Sequence, residues 1–159
     1  GSSPAIDRKT GFENAISGHD NLSIVRSQTG DFTRAQGKEV MESFLQAEAG
    51  NEICALYAHN DDMALGAIQA IKEAGMDPGD DILIVSIDAV PDIFQAMADG
   101  DANATVELTP NMAGPAFDAL EAYWADGTEP EKFIQTESKL YTQSDDPMAE
   151  YEARKDLGY

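Results

Sequence analysis

The stretch Ile82–Asp88, which reads Ile-Leu-Ile-Val-Ser-Ile-Asp, decides the fold that this sequence predicts. Its run of Ile, Leu and Val is typical of a β-strand that helices cover on both faces. The strand ends on an acid, and a helix-period segment begins soon afterwards at Pro91. The stretch therefore predicts a strand of a parallel sheet with a polar group at its carboxyl end.

Three similar apolar runs accompany this strand, and segments with helical periodicity separate them. The further predicted strands are Leu22–Ser27, Ile53–Ala58 and Ala104–Leu108. The predicted helices are Ala5–Ser17, Thr33–Ala49, Asp61–Ala74, a short helix from Pro91 to Gly100, and Asn111–Ala125. Alternation of this kind is typical of βαβ units, so we predict an α/β fold with a parallel sheet flanked by helices.

The pattern is weaker at the two ends of the chain. Beyond Gly127 it predicts one strand-like stretch, Phe133–Tyr141, and a polar tail, Ser144–Tyr159, that suits a short surface helix. At the other end, Gly1–Pro4 resembles the turn between a strand and a helix, so we expect a further strand upstream. An expression-tag remnant is the alternative explanation for Gly1–Ser3.

Composition narrows the classes of function. The 159 residues suit one packed domain, and 30 acidic against 10 basic residues give a formal charge of −20. This charge argues against direct binding to nucleic acid or to an anionic membrane through a basic surface. The apolar runs are also far shorter than the roughly 18 residues that a membrane-spanning helix needs.

The sequence offers no metal-binding motif, and we predict neither a metal nor a cofactor. Its single cysteine, Cys54, excludes an internal disulfide and lies in an apolar run that predicts a buried, unreactive thiol. His19 and His59 lack zinc spacing. The segment Asp99–Asn103 begins like a calcium loop, but Ala104 occupies the position of the required glycine.

Polar and aromatic residues follow the predicted strands at their carboxyl ends, where open parallel sheets bind ligands. Phe32, Asn60 and Asp88 follow three strands, and Arg8 lies in the first turns of the opening helix. Guanidinium, amide and carboxylate groups can each bridge two neighbouring hydroxyls, and an aromatic ring can stack on the C–H face of a sugar. The combination predicts a site for a neutral sugar.

Each of these residues also has a structural interpretation. Asp31 and Asn60 suit helix N-caps, and Asp61 and Asp62 suit a first helical turn, where acids interact favourably with the helix dipole. Phe32 alone suits a core position, and Arg8 alone suits a solvated helix surface. Asp88 is the exception, because an acid that ends a buried strand requires a partner.

Several motifs in a fixed order point to a known family. They are Asn60–Ala67, Ile84–Asp92, Ala104–Glu107 and Pro110–Gly114, together with Gly1–Arg8 and Ser27–Phe32. These motifs resemble the periplasmic sugar-binding proteins of ABC transporters, of the ribose and galactose type, and are closest to the galactofuranose-binding branch.

The resemblance implies one lobe of a type I periplasmic-binding-protein fold, which has two α/β lobes joined by three crossings, with this chain truncated at its N-terminus. Residues 1–108 would form the C-terminal sugar-binding lobe without its first strand. Residues 109–159 would form a crossing segment, a helix and a tail that return to the N-terminal lobe and hinge. The apolar face of that helix would then lack its cover in this chain.

The family's sugar contacts fall on Arg8, Phe32, Asn60 and Asp88. Asp31, Glu107 and Asn111 are further possible contacts, because Leu108 occupies the position of a ligand amide in ribose-type relatives. The resemblance thus implies that no residue here is catalytic.

The implied function is the solute-binding component of an ABC sugar importer, located in the periplasm. Its expected partners are a monosaccharide, galactofuranose-like or another pentose or hexose, a membrane permease and the missing N-terminal lobe. The alternative is the effector-binding domain of a lactose-repressor-type transcription regulator, which the acidic charge disfavours. A glycosidase is disfavoured as well, because adjacent Asp61 and Asp62 on a helix point apart.

Overall fold

Helices and strands alternate along the chain in the computed structural model, which describes residues 2–48 and 53–157. The helices are α1 (Ser3–Ile16), α2 (Arg34–Ala47), α3 (Asp61–Glu73), α4 (Pro91–Asp99), α5 (Ala113–Asp126) and α6 (Pro147–Arg154). The strands are β1 (Ala55–Tyr57), β2 (Leu83–Asp88), β3 (Ala104–Glu107) and β4 (Leu140–Thr142), and a 3₁₀ turn at Gln143–Asp145 follows β4. The predicted end of the second helix, Ala49, lies outside the described residues.

The four strands form one sheet in the order β1-β2-β3-β4. The pairs β1–β2 and β2–β3 are parallel, and β4 is antiparallel to β3. Asp88 lies opposite Glu107 where β2 and β3 end. The α/β fold class is therefore confirmed, and the carboxyl ends of the three parallel strands meet at one edge.

The core lies on one face of the sheet, although the sequence predicts cover on both. Along β2, Ile84 and Ser86 are buried, whereas Leu83 is 50% exposed. The helices that bury residues are α2, α3 and α4, while α1 and α5 bury none. The apolar run of β2 therefore reflects a strand with only one fully covered face in this chain.

The predicted strand Leu22–Ser27 is wrong, because the segment has no regular structure. Leu22 is 47% and Val25 56% exposed. A strand persists only where a neighbour pairs with its N–H and C=O groups, and no described strand lies alongside this segment. Its apolar composition alone does not supply that partner.

The end of the chain returns to this sheet. The strand-like stretch Phe133–Tyr141 is reduced to β4, and the predicted tail helix is confirmed as α6, which packs against α4. The Arg154 guanidinium lies 5.0 Å from the centre of the Phe94 ring. Within residues 140–154, β4 thus pairs with β3 and α6 packs against α4, although the predicted division groups these residues with the crossings and the other lobe.

Two further predictions concern exposed apolar groups. Cys54 is exposed, so its prediction as a buried thiol is wrong; it precedes β1, which is an edge strand. On α5, Phe117 is 62% and Trp124 73% exposed, as expected for a helix without its cover.

No helix in the described ranges is long and apolar enough to cross a bilayer.

Close contact between α2 and α3 depends on glycine at two positions. A Cβ added to Gly66 would overlap the backbone carbonyl oxygen of Arg34, and one added to Gly37 would lie 2.5 Å from the carbonyl oxygen of Met63. The two helices can approach this closely only because neither position carries a side chain. The contact holds the N-termini of α2 and α3 together at the carboxyl edge of the sheet.

We expect Gly66→Ala to lower the free energy of unfolding by about 1 to 3 kcal/mol, because the added methyl group forces two backbones apart. Gly11→Ala is the matched control: it also lies within a helix, nothing is within 4 Å of its added Cβ, and helix propensity favours alanine. Urea denaturation of both variants measures the difference. Equal stability of the two variants would contradict this packing.

Candidate functional site

Arg8 reaches the carboxyl edge of the sheet from α1. Phe12, one turn further along the same helix face, stacks on Tyr57 of β1 with ring centres 4.4 Å apart. The Arg8 guanidinium donates to the backbone carbonyl oxygen of His59 and, over 3.4 Å, to Oδ1 of Asp88. Its side chain is only 14% exposed, so the interpretation of Arg8 as a solvated helix charge is wrong.

Asp88 ends β2 in an unusual backbone conformation. Its φ is 132°, and that of the next residue, Ala89, is 64°. Non-glycine residues rarely adopt positive φ, and such strain clusters at ligand-binding sites. Burial raises the pKa of the Asp88 carboxyl, outweighing the opposing effect of the nearby Arg8 guanidinium.

Asn60 both caps a helix and faces the predicted site. Its Oδ1 accepts from the Met63 N–H at 3.0 Å, which caps α3, and its Nδ2 donates to the carbonyl oxygen of Phe32 at 3.2 Å. The cap interpretation is therefore correct. An amide has a second N–H and a second acceptor lone pair, so capping does not exhaust the hydrogen bonds that Asn60 can form.

Phe32 lies in a left-handed conformation, with φ of 58°, in the loop before α2. Its half-buried ring lies beneath the Arg8 guanidinium, whose central carbon is 5.9 Å from the ring centre, within cation–π range. The ring is therefore part of this edge rather than of the main core.

The four predicted sugar contacts thus converge. Arg8 contacts both Asp88 and Phe32, and the carbonyl of Phe32 accepts from Asn60. We call Arg8, Phe32, Asn60 and Asp88 the edge cluster. It combines one cation, one anion, one amide and one aromatic ring within a continuous set of contacts.

The side chains of the three additional candidates have other partners or are exposed, although Glu107 pairs with Asp88 through the backbone of the sheet. Asp31 is exposed, and its Oδ1 accepts from the Thr29 hydroxyl at 3.0 Å. It does not cap α2, because Thr33 does so through Gln36 N. The Glu107 carboxylate pairs with Arg154 at 3.4 Å, and Asn111 is exposed in the loop before α5.

Sequence reasoning missed the role of Asp61, which it interpreted as an acid interacting with a helix dipole. Asp61 is fully buried. Its Oδ1 accepts from the Ser86 hydroxyl at 2.5 Å and the Thr105 hydroxyl at 2.8 Å, and its Oδ2 accepts from the Val90 N–H at 2.8 Å. The single carboxylate joins α3 to β2, β3 and the start of α4. The signal available in the sequence was the placement of two polar residues, Ser86 and Thr105, inside otherwise apolar strands.

The neighbouring acid, Asp62, lies on the exposed surface of α3, with its side chain 49% exposed. It accepts from Arg34 at 2.8 Å, and Arg34 also reaches Asp92 at 3.0 Å, so α2, α3 and α4 are linked at their N-termini. The two adjacent acids do point apart, as predicted, and do not form a pair of opposed carboxylates. No group of three or more His, Cys, Asp and Glu side chains in residues 2–48 and 53–157 is arranged to hold a metal ion.

Comparison with known proteins identifies the family. Residues 1–128 match the model of the periplasmic binding protein domain. The chain belongs to that family. It is 64% identical to the galactofuranose-binding protein YtfQ of Escherichia coli over its whole length, and it covers 50% of that protein.

Solved structures agree with this assignment. A crystal structure of a galactofuranose-binding protein has a TM-score of 0.89 and 64% identity, covering 98% of this chain and 52% of the other. The periplasmic component of an arabinose ABC transporter from Shewanella sp., bound to L-arabinofuranose, has a TM-score of 0.89 and 59% identity, covering 96% of this chain and 50% of the other.

The chain thus has the fold of type I periplasmic binding proteins and spans about half the length of the curated relatives it matches. These relatives are sugar-binding proteins, and they do not support the transcription-regulator alternative.

The burial of Asp61 predicts a pH dependence of stability. Burial raises the pKa of this carboxyl from 3.8 to about 6, despite three hydrogen bonds that favour the ionised form. Between these pH values the folded state binds more protons than the unfolded state, so the free energy of unfolding falls as the pH rises. Since one pKa unit corresponds to about 1.4 kcal/mol, the fall attributable to Asp61 is about 3 kcal/mol.

Asp61→Asn removes this titration and keeps the shape of the side chain. As the pH rises from about 4 to about 6, we therefore expect the wild type to lose stability relative to this variant. Urea denaturation across that range measures it. Parallel stability curves would show that Asp61 does not titrate in this way.

Proposed function

We propose that this chain is the sugar-contacting lobe of a periplasmic binding protein that serves an ABC importer. The convergence of the edge cluster carries the proposal: Arg8, Phe32, Asn60 and Asp88 come from four separate segments and meet at the carboxyl ends of the parallel strands. This edge is where folds of this type bind ligands. The family relationship and the ligands named for the relatives support the same conclusion.

The contacts within the edge cluster leave hydrogen-bonding capacity for a ligand. A guanidinium has five N–H donors, and a carboxylate accepts about four hydrogen bonds. The Arg8–Asp88 distance of 3.4 Å is long compared with the roughly 2.8 Å of a tight charge-assisted bond. Vicinal hydroxyls can therefore take their places between these groups without the loss of a strong ion pair.

Charge and shape favour a neutral monosaccharide. The positive charge of Arg8 is matched by the negative charge of Asp88, and the chain as a whole carries −20, so an anionic sugar phosphate would be repelled. The Phe32 ring offers an apolar surface to the C–H face of a sugar. We propose a furanose form as the ligand, because two relatives are named for galactofuranose and L-arabinofuranose.

In this proposal the sugar is held and not transformed. Residues 109–159 contribute crossings to a second lobe as well as β4 and α6 of this one, and the two lobes close over the sugar as a hinge. The exposed apolar face of α5 packs against that second lobe. The complete protein acts in the periplasm and delivers its sugar to a membrane permease, and it uses no cofactor.

The proposal is tested on the protein expressed from its complete reading frame, by isothermal titration with L-arabinose, D-galactose and D-ribose. Arg8→Ala and Asp88→Ala should each weaken binding at least about tenfold, since a charge-assisted hydrogen bond contributes roughly 1.5 kcal/mol or more.

Arg34→Ala is the matched control. Arg34 also lies at the N-terminal ends of the helices and also bridges acids, but these acids, Asp62 and Asp92, do not belong to the edge cluster. We expect this variant to keep the wild-type affinity. Unchanged binding in Arg8→Ala and Asp88→Ala would contradict the proposed site, and hydrolysis of a glycoside by the wild type would contradict a purely binding function.

A further inference from the structure

We propose that Asp61 is a positioning residue for sugar binding: its buried carboxylate fixes the turn that directs Asp88 towards Arg8. This inference rests on the proposed function of the edge cluster. Asp61 is fully buried, so its carboxylate acts on the edge cluster through the groups that it holds in place.

The turn Asp88–Val90 requires support from outside itself. Asp88 and Ala89 both have positive φ, and neither is glycine, so the extended or helical conformations that these residues prefer compete with the observed one. A strained turn persists only where contacts with the surrounding structure hold it in that conformation. The contacts that do so are therefore the ones that set the direction of the Asp88 side chain.

Those contacts lead to Asp61. The Val90 N–H donates directly to its Oδ2 at 2.8 Å. The Ala89 N–H donates to the Thr105 hydroxyl oxygen at 3.3 Å, and that hydroxyl in turn donates to Oδ1 of Asp61 at 2.8 Å. Both amides that follow Asp88 are thus held by one carboxylate, one directly and one through a single hydroxyl.

A residue that only filled space at this position would not need a hydrogen-bond acceptor. Ionised acids are unfavourable in buried sites, and burial raises the pKa of Asp61 to about 6. What Asp61 provides is a rigid acceptor at the required place, since α3 holds its backbone and the Ser86 hydroxyl holds Oδ1 from the other side. Burial of the Asp61 carboxylate therefore lowers the stability of the folded chain, while its hydrogen bonds fix the turn beside the edge cluster.

Asparagine can reproduce this arrangement and alanine cannot. In Asp61→Asn, the amide oxygen can accept from the Val90 N–H while the amide nitrogen donates to the oxygens of Ser86 and Thr105, because hydroxyls accept as well as donate. In Asp61→Ala, the Val90 N–H loses its acceptor and the turn is released. Asp61→Asn therefore tests whether the charge of the side chain matters, and Asp61→Ala tests whether the acceptor itself matters.

The experiment measures sugar affinity by isothermal titration with L-arabinose and D-galactose in the protein expressed from its complete reading frame. We expect Asp61→Ala to weaken binding at least tenfold and Asp61→Asn to stay within threefold of the wild type. Ile71→Ala is the control for lost stability, because Ile71 is equally buried on the same helix and its aliphatic side chain accepts no hydrogen bond from the turn. It should bind sugar as the wild type does.

A second pair of variants serves if Asp61→Ala does not fold. Thr105→Val and Ser86→Ala each remove one hydroxyl that donates to Oδ1 of Asp61, but only Thr105 also accepts from the turn. We expect Thr105→Val to weaken sugar binding and to speed hydrogen exchange at the Ala89 amide. Ser86→Ala should change both less than Thr105→Val does, because Asp61 keeps its hydrogen bonds to Val90 and Thr105.

The outcomes distinguish this inference from the function on which it rests. A wild type that binds no sugar would overturn the proposed function. A wild type that binds sugar, with Asp61→Ala or Thr105→Val binding as tightly and with unchanged exchange at Ala89 and Val90, would overturn the positioning role alone.

Discussion

Parallel pairing of β1, β2 and β3 is the constraint on which the rest of this lobe depends. It brings the carboxyl ends of three strands to one edge, so residues that are distant in sequence, such as Asn60 and Asp88, become neighbours in space. The helices α3 and α4, which follow β1 and β2, begin at the same edge, and α2 packs against α3. The N-terminal residues of α2, α3 and α4 are then close enough for Arg34 to bridge Asp62 and Asp92.

Polar groups buried in the core determine the backbone conformation at the carboxyl edge of the sheet. The Asp61 carboxylate joins α3 to two strands and to the turn after β2. That turn holds Asp88 in a conformation that an acidic residue seldom adopts, next to the guanidinium that enters from α1. The fold therefore does more than bring functional groups together, because its buried hydrogen bonds also determine where one of them points.

Much of this arrangement was predictable from local sequence patterns. The apolar run of β2, the helical periods of α2 and α3, and the family motifs were sufficient to predict the α/β class and the meeting of Arg8, Phe32, Asn60 and Asp88. Short-range periodicity and the topological rule of parallel sheets account for Asn60 and Asp88, whereas the strand predicted before Phe32 is absent and Phe32 is placed correctly by the family motifs alone. The ligand-binding roles of these residues remain predictions.

The failures have a common physical cause, since each concerns a partner that is distant in sequence. Leu22–Ser27 has strand composition but no neighbouring strand, Cys54 lies in an apolar run but on an edge, and Asp61 resembles a helix-dipole acid but meets hydroxyls from two strands. The return of β4 to the sheet depends likewise on pairing with β3. Composition predicts the secondary structure and burial that a segment favours, whereas the tertiary structure determines whether the segment finds the partners that these require.

The most direct test of the account is a crystal structure of the protein from its complete reading frame, grown with the monosaccharide that binds most tightly. The account predicts that the sugar lies between two lobes, with its hydroxyls bonded to Arg8, Asn60 and Asp88 and its C–H face on the ring of Phe32. A sugar bound elsewhere, with none of its hydroxyls bonded to these side chains, would contradict it.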